Sequence, residues 1–155
     1  MKDIKKIIYP TDFSEPSRTA FDYAVSMAKM CGAQLEILHV MFDETQVVSF
    51  YLPQVTMQNL SVDIEEGAKK EMKKFVEESG ELGDIEYTYT LKKGTPFVEI
   101  IKHAKESGAD MIVIGTHGRS GLEHVLFGST AEKVVRKASC PVLTIRSNQE
   151  DFKLP

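Results

Sequence analysis

Residues 110–130 read DMIVIGTHGRSGLEHVLFGST, an apolar run followed by a loop that contains four glycines. The run DMIVI at residues 110–114 is nearly all apolar, which is typical of a strand covered on both faces. A stretch of helix-forming composition, STAEKVVRKA, begins at residue 129. Ordinary connections between a strand and a helix are about 2–6 residues long. The longer, glycine-rich connection predicts that this loop binds something.

Strand-like and helix-like stretches alternate from one end of the chain to the other. The predicted strands are short and either apolar or alternating, at residues 5–10, 33–41, 85–94, 110–114 and 140–146. The predicted helices have apolar residues at helical spacing, at residues 14–32, 61–79, 95–108 and 129–138. Residues 41–60 form a long irregular segment that is interrupted by Pro53, and its role stays open.

This alternation predicts an α/β fold of the Rossmann-like kind. Strands joined through helices pair in parallel by right-handed crossovers, which gives a doubly wound, five-stranded parallel sheet with helices on both faces. The expected strand order is 3-2-1-4-5, and the alternating third stretch is expected at an edge of the sheet. Residues 1–147 are expected to form a single domain, and residues 148–155 a polar tail.

The composition argues against several classes of partner. The formal charge is −4 and the Lys and Arg residues form no long basic block, so no nucleic-acid partner is expected. There is no apolar run of about eighteen residues and no signal-peptide pattern, so we expect no membrane association and a cytoplasmic location. The two cysteines, Cys31 and Cys140, are predicted to be reduced thiols in a packed interior.

Two unusual stretches follow strands that the predicted order places side by side. PTDFSEPS at residues 10–17 leaves the first strand, and the glycine loop leaves the fourth. In a doubly wound sheet, ligands bind outside the carboxyl ends of the strands, where successive crossovers turn opposite ways. Segments about a hundred residues apart are therefore predicted to face one crevice between strands one and four.

The glycine loop has the chemistry of a phosphate site. Gly115 and Gly118 can adopt positive φ angles and let another group approach the backbone. Ser129 and Glu132 have the spacing of a capping box at the start of a helix, where free N–H groups and the helix dipole attract anions. The alternative is that the glycines serve tight turns and that the capping box needs no ligand.

Further residues near these stretches are candidates for contacts with a nucleotide. Asp12 can accept hydrogen bonds from a ribose hydroxyl or a base amine, or it can serve only as a turn or helix-entry cap. Val40, at the end of the second strand, can offer its backbone to the edge of an adenine. The candidate phosphate contacts are His117, Arg119, Ser129 and Thr130.

The remaining histidines have simpler interpretations. His39, on the second strand, is expected to be a core histidine with its hydrogen bonds satisfied. His103 and His124 are expected at the surface. No spacing of Cys and His residues suggests a zinc site, and the residues that hold any metal are not predicted.

The residues quoted above resemble the universal stress protein family, in its nucleotide-binding branch. The pattern G-x2-G-x9-G-[ST] of that branch is met in full by Gly115, Gly118, Gly128 and Ser129. The stretches IIYPTDFSEPS, LEILHV and SCPVLTIR also match, so the resemblance covers essentially all of residues 1–147.

The resemblance implies a ligand, a cofactor and a partner. It implies ATP with Mg²⁺ or Mn²⁺. We expect the main-chain amides between Ile114 and Ala131 to form a cradle for the polyanion beside Asp12. It also implies a homodimer that forms through strand five, from Val142 to Arg146. The implied adenine and ribose contacts are Pro10, Thr11, Asp12, Val40 and Gly115. The implied phosphate contacts are Gly118, Arg119, Gly128, Ser129 and Thr130.

Three functions are compatible with these features. The leading one is an ATP-binding switch or sensor of the stress response, whose bound state alters partner or dimer contacts. The second is a slow ATPase or self-phosphorylating enzyme, although the glycines are not followed by GK[ST] and no carboxylate is evidently paired with a histidine to activate water. The third is a dimeric interaction protein without nucleotide. No catalytic residue is predicted.

Overall fold

The computed structural model describes residues 3–43, 54–80, 82–117 and 127–147. Within these ranges, strands and helices alternate strictly along the chain. The strands are β1 (Lys6–Pro10), β2 (Gln34–Phe42), β3 (Tyr87–Gly94), β4 (Met111–Gly115) and β5 (Val142–Ile145). The helices are α1 (Glu15–Cys31), α2 (Gln54–Glu78), α3 (Pro96–Glu106) and α4 (Ser129–Lys137).

All neighbouring strands of the sheet pair in parallel, in the order β3-β2-β1-β4-β5. The α/β fold and the strand order predicted from the sequence are therefore confirmed. β1 lies at the centre of the sheet, next to β2 on one side and β4 on the other. The chain leaves β1 in one direction for β2 and later winds in the opposite direction from β4 to β5. The change of direction falls between β1 and β4, and it leaves a crevice at their carboxyl ends.

The sheet separates two hydrophobic cores, because alternate side chains of each strand point to opposite faces. On one face, Ile7, Leu35 and Ile37 pack with the apolar stripe of α1 and with Phe75 of α2. On the other face lies a second cluster, which contains residues of α3 and α4. Its buried members are Ile8, Leu38, Ile100, Ala104, Ile112, Ile114, Ala131 and Val134. Central strands are covered on both sides, which explains their nearly continuous apolar composition.

The ends of α1 are as the sequence predicts. Pro16 lies in its first turn, where the missing N–H of proline costs nothing. Gly32 ends the helix in the left-handed region, with φ 62° and ψ 34°. This conformation favours glycine because a Cβ would be strained there. Ser14 is the N-cap residue, but its side chain makes no capping hydrogen bond.

The bounds predicted for the irregular segment, residues 41–60, are wrong at both ends. β2 continues to Phe42, and α2 begins at Gln54 rather than at residue 61. Residues 54–60 lack glycine and proline, and Met57 and Leu60 precede Ile64 at helical spacing, so their sequence is compatible with a helix. Residues 44–53 lie outside the described residues.

β3 forms one edge of the sheet, as predicted, although it begins at Tyr87 rather than at residue 85. The prediction of two interior cysteines is wrong for Cys31, which is exposed at the end of α1 beside Gly32. Cys140 is partly buried. Across the described ranges, no helix combines the length and the apolar character that a membrane crossing needs.

Candidate functional site

A pocket of about 320 Å³ lies at the carboxyl ends of β1 and β4, where the sheet changes its direction of winding. Small-molecule sites typically have volumes of about 300–1,000 Å³. The loop after β1 and the first turn of α4 both reach this pocket, and α3 closes part of it. Its walls are formed by Pro10, Thr11, Asp12, Ser17, Leu38, Val40, Pro96, Ile100, Ile114, Gly115, Thr116, His117, Gly128, Ser129, Thr130 and Ala131.

Buried hydroxyl groups gather at this pocket. Thr11, Ser17 and Thr116 are each 5–6% exposed, and all three line it. The Ser17 hydroxyl donates to the carbonyl oxygen of Ser14 at 2.9 Å. Since that uses its only hydrogen, the Thr11 hydroxyl is the donor in the 2.9 Å contact between Thr11 and Ser17. The polar wall of the pocket is therefore held by its own hydrogen bonds.

Asp12 forms a turn at the edge of the pocket. One of its carboxylate oxygens, Oδ1, accepts a hydrogen bond from the backbone N–H of Ser14 at 3.0 Å, and the Ser14 hydroxyl donates to the same oxygen. This is the capping role that the sequence left as an alternative to ligand binding. The half-buried carboxylate also lines the pocket, so the turn fixes it in a position that a ligand can reach.

Tyr9 supports this wall from the other side of the sheet. Its hydroxyl donates to the backbone carbonyl of Ser17 at 2.6 Å, in a buried position. Burial raises the pKa of Tyr9 to about 12, despite the opposing effect of its contacts with Ser17 and Thr11. Tyr9 is therefore a neutral hydrogen-bond donor at physiological pH, and it ties β1 to the first turn of α1.

The first turn of α4 lies on the pocket. Gly128 is the N-cap, with φ −66° and ψ 156°, and no side chain caps the helix. The predicted capping box is wrong, because Ser129 is already the first helical residue and Glu132 instead pairs with Arg136 at 3.1 Å. The N–H groups of a first turn have no acceptor inside their own helix. Together with the helix dipole, they make this end of α4 attractive to an anion.

Gly128 is required by a close approach of two backbone segments. Its N–H donates to the carbonyl oxygen of Thr116 at 2.6 Å, and a Cβ built on it would lie 3.2 Å from that oxygen. Such a contact is tighter than ordinary van der Waals packing, and the neighbour is backbone that cannot move freely. Gly128 thus lets the start of α4 lie against the end of β4.

Gly115 does not adopt the positive φ angle that the sequence suggested. It ends β4 in a strand conformation, and a Cβ built on it would meet the carbonyl oxygen of Pro16 at an ordinary 3.5 Å. The prediction failed because a glycine that follows a strand can still belong to that strand. Gly118, the second glycine of the pattern, lies outside the described residues.

Most residues predicted for the site line the pocket. Arg119 and Gly118 lie outside the described residues. The predicted residues that line the pocket are Pro10, Thr11, Asp12, Val40, Ile114, Gly115, Gly128, Ser129 and Thr130. The lining residues that were not named as candidate contacts are Ser17, Leu38, Pro96, Ile100, Thr116 and Ala131, although Ser17 belongs to the stretch at residues 10–17 that was predicted to face the crevice. The period of two along each strand gave a usable signal for Leu38, two residues before Val40, and for Thr116, two residues after Ile114.

Two histidines lie near the site. His117 lines the pocket, and its Nδ1 is 2.9 Å from the hydroxyl of Thr116. His39 is half-buried, with Nδ1 2.8 Å from the carbonyl oxygen of Thr11, so it makes a hydrogen bond as predicted but does not lie in the core.

The prediction of a surface position is wrong for His103, whose side chain is only 13% exposed. Its Nε2 lies 2.7 Å from a carboxylate oxygen of Glu36 on β2. His103 follows the buried Ile100 by three residues, so both belong to the face of α3 that packs on the sheet. His124 lies outside the described residues.

Comparison with known proteins agrees with the fold. The sequence profile of the universal stress protein family matches residues 3–146. Universal stress protein MJ0531 of Methanocaldococcus jannaschii is 36% identical over 151 residues, covering 95% of this chain and 85% of the relative. The solved structure of MJ0577, from the same organism, has a TM-score of 0.82 at 30% identity and covers 96% of this chain and 100% of its own.

A more distant structure shares the fold alone. It is a universal stress protein family protein from Arabidopsis thaliana with AMP bound, at 19% identity and a TM-score of 0.60, covering 96% of each chain. The matches span nearly the whole sequence and agree with the strand order found here. The chain therefore belongs to the universal stress protein family.

Proposed function

We propose that this chain binds ATP in the pocket between β1 and β4 and acts as a nucleotide-dependent switch in the stress response. One arrangement supports the proposal: the loop that carries Asp12 and the first turn of α4 line the same pocket. A carboxylate suits the hydroxyls of a ribose or the amine of a base. The N-terminus of a helix suits phosphates. The pocket thus offers matched groups for both ends of a nucleotide.

The lining also suits a base and a polyphosphate in one orientation. Leu38, Val40 and Ile100 give the pocket an apolar wall on the side of β2 and α3, which suits a purine ring. Ser129 and Thr130 add hydroxyl groups at the start of α4, which suit phosphate oxygens. Gly118 and Arg119 remain predicted phosphate contacts.

A divalent cation, Mg²⁺ or Mn²⁺, belongs to the proposal because it neutralises part of the charge of a bound triphosphate. Mg²⁺ in nucleotide sites is held mainly by phosphate oxygens and water, with one or two carboxylates. In the described part of the chain, no group of three or more His, Cys, Asp or Glu side chains is placed to hold a metal ion. We expect ATP to bind more tightly with Mg²⁺ than with EDTA.

The nucleotide that the purified protein carries tests this function. The protein is denatured and the released molecule is chromatographed, and nucleotide-free protein is then titrated calorimetrically with MgATP, MgADP, AMP and MgGTP. We expect ATP to be released and to bind more tightly than GTP. Released ADP would support the slow ATPase instead. Failure of every adenine nucleotide to bind would contradict the proposal and favour a nucleotide-free interaction protein.

We also propose a homodimer through β5, over residues 142–146. β5 is an edge strand beside β4, and Val142, Leu143 and Thr144 are only partly covered. An edge strand that carries apolar side chains is suited to a partner. Because β4 also ends at the pocket, a bound nucleotide is one strand away from this surface. Light scattering should give twice the chain mass of 17.4 kDa, and a single chain mass would contradict the dimer.

A further inference from the structure

We propose that His39 is a positioning residue that sets the orientation of Asp12 toward the ligand. It does so through the backbone of the loop between β1 and α1, since its own side chain is not part of the pocket wall. This inference rests on the proposed nucleotide binding and deepens it, because it names a residue outside the pocket that controls selectivity for the ligand.

A hydrogen bond connects His39 to the peptide group that precedes Asp12. Nδ1 of His39 lies 2.8 Å from the carbonyl oxygen of Thr11. A carbonyl oxygen only accepts, so Nδ1 carries a hydrogen and donates it, whether the ring is neutral or charged. The carbonyl belongs to the planar peptide group that joins Thr11 to Asp12. The hydrogen bond therefore fixes the orientation of the peptide plane that precedes the Cα atom of Asp12.

A ring contact connects His39 to the residue that follows Asp12. The rings of Phe13 and His39 have centroids 4.3 Å apart at an angle of 32°. Among the described residues, Phe13 is the only one other than glycine with a positive φ angle, 62°. A bulky residue in this region is strained, and such strain persists only where the surroundings hold it. His39 thus holds both neighbours of Asp12.

Other contacts hold the backbone of the loop on both sides of Asp12. The N–H of Thr11 donates to the carbonyl oxygen of Leu38 at 2.9 Å, and the N–H of Phe13 donates to the Thr11 hydroxyl at 3.0 Å. Phe75 of α2 packs behind Phe13, with ring centroids 5.8 Å apart. The peptide group that His39 holds therefore connects the fixed end of β1 to the segment that contains the strained residue Phe13.

Two substitutions of His39 separate the hydrogen bond from the ring contact. His39→Phe keeps a ring to pack on Phe13 but removes the donor. His39→Asn keeps an N–H donor close to the position of Nδ1 but removes the ring. Asp12→Asn serves as the reference, because it shows which part of the nucleotide the carboxylate recognises. Dissociation constants are measured for ATP, 2′-deoxyATP, 3′-deoxyATP and inosine triphosphate, together with melting temperatures.

We expect Asp12→Asn to reduce discrimination between ATP and one of these analogues by about tenfold, the value of one hydrogen bond to a charged group. His39→Phe should lose that same discrimination, and His39→Asn should keep it. In the double variant of Asp12→Asn and His39→Phe, the ratio of dissociation constants between ATP and the analogue should fall no further than in either single variant. The two substitutions act on one contact, so their effects should not add. If His39→Phe does not fold, His39→Leu replaces it.

The result that overturns the inference is an unchanged ratio of affinities. A merely structural role of His39 lowers the melting temperature and weakens all analogues equally, which leaves discrimination as in the wild type. Discrimination that is unaffected by Asp12→Asn overturns it as well, because there is then no carboxylate contact to position. Absence of any nucleotide binding by the wild type is a different outcome, since it refutes the proposed function itself.

Discussion

Glu36 on β2 and His103 on α3 meet inside the protein, where a carboxylate oxygen of Glu36 lies 2.7 Å from Nε2 of His103. Their side chains are 6% and 13% exposed. The hydroxyl of Thr90 donates to the same oxygen at 2.7 Å, and Nζ of Lys6 forms an ion pair with the other oxygen at 3.0 Å. A buried carboxylate is costly unless it is compensated in this way. The cluster joins three strands to the helix that covers them.

Glu36→Gln tests the contribution of this charge to stability. Burial alone would raise the pKa of Glu36, but hydrogen bonds from Thr90, His103 and Lys6, together with the charge of His103, lower it below its ordinary value of 4.5. The charge therefore stabilises the fold above pH 4.5, and this contribution is lost as the pH falls through the lowered pKa of the folded state. We expect a loss of about 1–3 kcal/mol at neutral pH. Measured by urea unfolding, the difference in the free energy of unfolding between the variant and the wild type should disappear below pH 4.5.

Glu86→Gln is the matched control for this substitution. Glu86 is an exposed glutamate near the start of β3 that accepts a hydrogen bond from Gln34 at 3.0 Å. Its replacement should change the free energy of unfolding by no more than about 0.5 kcal/mol. If both variants lose the same stability with the same pH dependence, the buried cluster has no special role.

Tyr9→Phe should destabilise the pocket wall in a pH-dependent way. It leaves the carbonyl oxygen of Ser17 without its buried donor, at a cost of about 1–3 kcal/mol. Burial raises the pKa of Tyr9 from 10.0 to about 12, so its contribution is complete below pH 10 and is lost as the pH rises toward 12. The difference in the free energy of unfolding between the variant and the wild type, measured with urea, should therefore decrease over this pH range.

Tyr87→Phe provides the comparison for Tyr9→Phe. Tyr87 is 39% exposed on the edge strand β3, so loss of its hydroxyl should cost no more than about 0.5 kcal/mol. A cost at Tyr9 as small as the cost at Tyr87 would show that the hydroxyl of Tyr9 does not hold the first turn of α1.

The parallel sheet could be predicted because strands alternate with helices, and β4 could be recognised because an almost wholly apolar run indicates burial on both faces. The DMIVI run became β4 almost without change of bounds. The beginning of α2 was missed although the sequence carries a signal for it, because Met57 and Leu60 precede Ile64 at helical spacing. The position of His103 was missed for a different reason. A lone histidine on a helix gives no sign of the buried Glu36 that faces it from β2.

The site was predictable where it depends on the ends of strands. Asp12 follows the end of β1, and Gly115 is the last residue of β4. Parallel strands bring such positions to the same edge of the sheet. Pro96 and Ile100 were missed because they reach the pocket only through the docking of α3 on the sheet. The N-cap was placed one residue too late, because the S-x-x-E spacing pointed to Ser129, whereas the cap is Gly128, which has no side chain to reveal it.

Phe75→Ala should show how strongly α2 supports the loop that carries Asp12. The ring of Phe75 is 1% exposed and packs on Tyr9, Phe13 and Phe21, with centroids 5.1–6.2 Å apart. Truncation of such a ring costs about 3–5 kcal/mol, since it leaves a cavity. Urea unfolding measures this loss. Val62→Ala, at a 58% exposed position of the same helix, should cost no more than about 0.5 kcal/mol.

Gly128→Ala should weaken nucleotide binding more than it weakens the fold. The dihedral angles of Gly128 are open to alanine, so the backbone is not strained. The added Cβ lies 3.2 Å from the carbonyl oxygen of Thr116 and must push the start of α4 away by a few tenths of an ångström. We expect affinity for ATP to fall by about tenfold or more, because amides aimed at phosphate act over hydrogen-bond distances. Stability should fall by about 1 kcal/mol or less.

Gly67→Ala is the control, because the same atoms are added where nothing lies within 4 Å. Gly67 is an exposed position inside α2, so alanine there should raise the free energy of unfolding by about 0.5–1 kcal/mol. Its affinity for ATP should equal that of the wild type. Calorimetric titration of both variants therefore separates the effect of a Cβ at the start of α4 from the effect of losing a glycine. Equal affinities for ATP in the two variants would mean that the binding of phosphate does not depend on the close approach of α4 to β4.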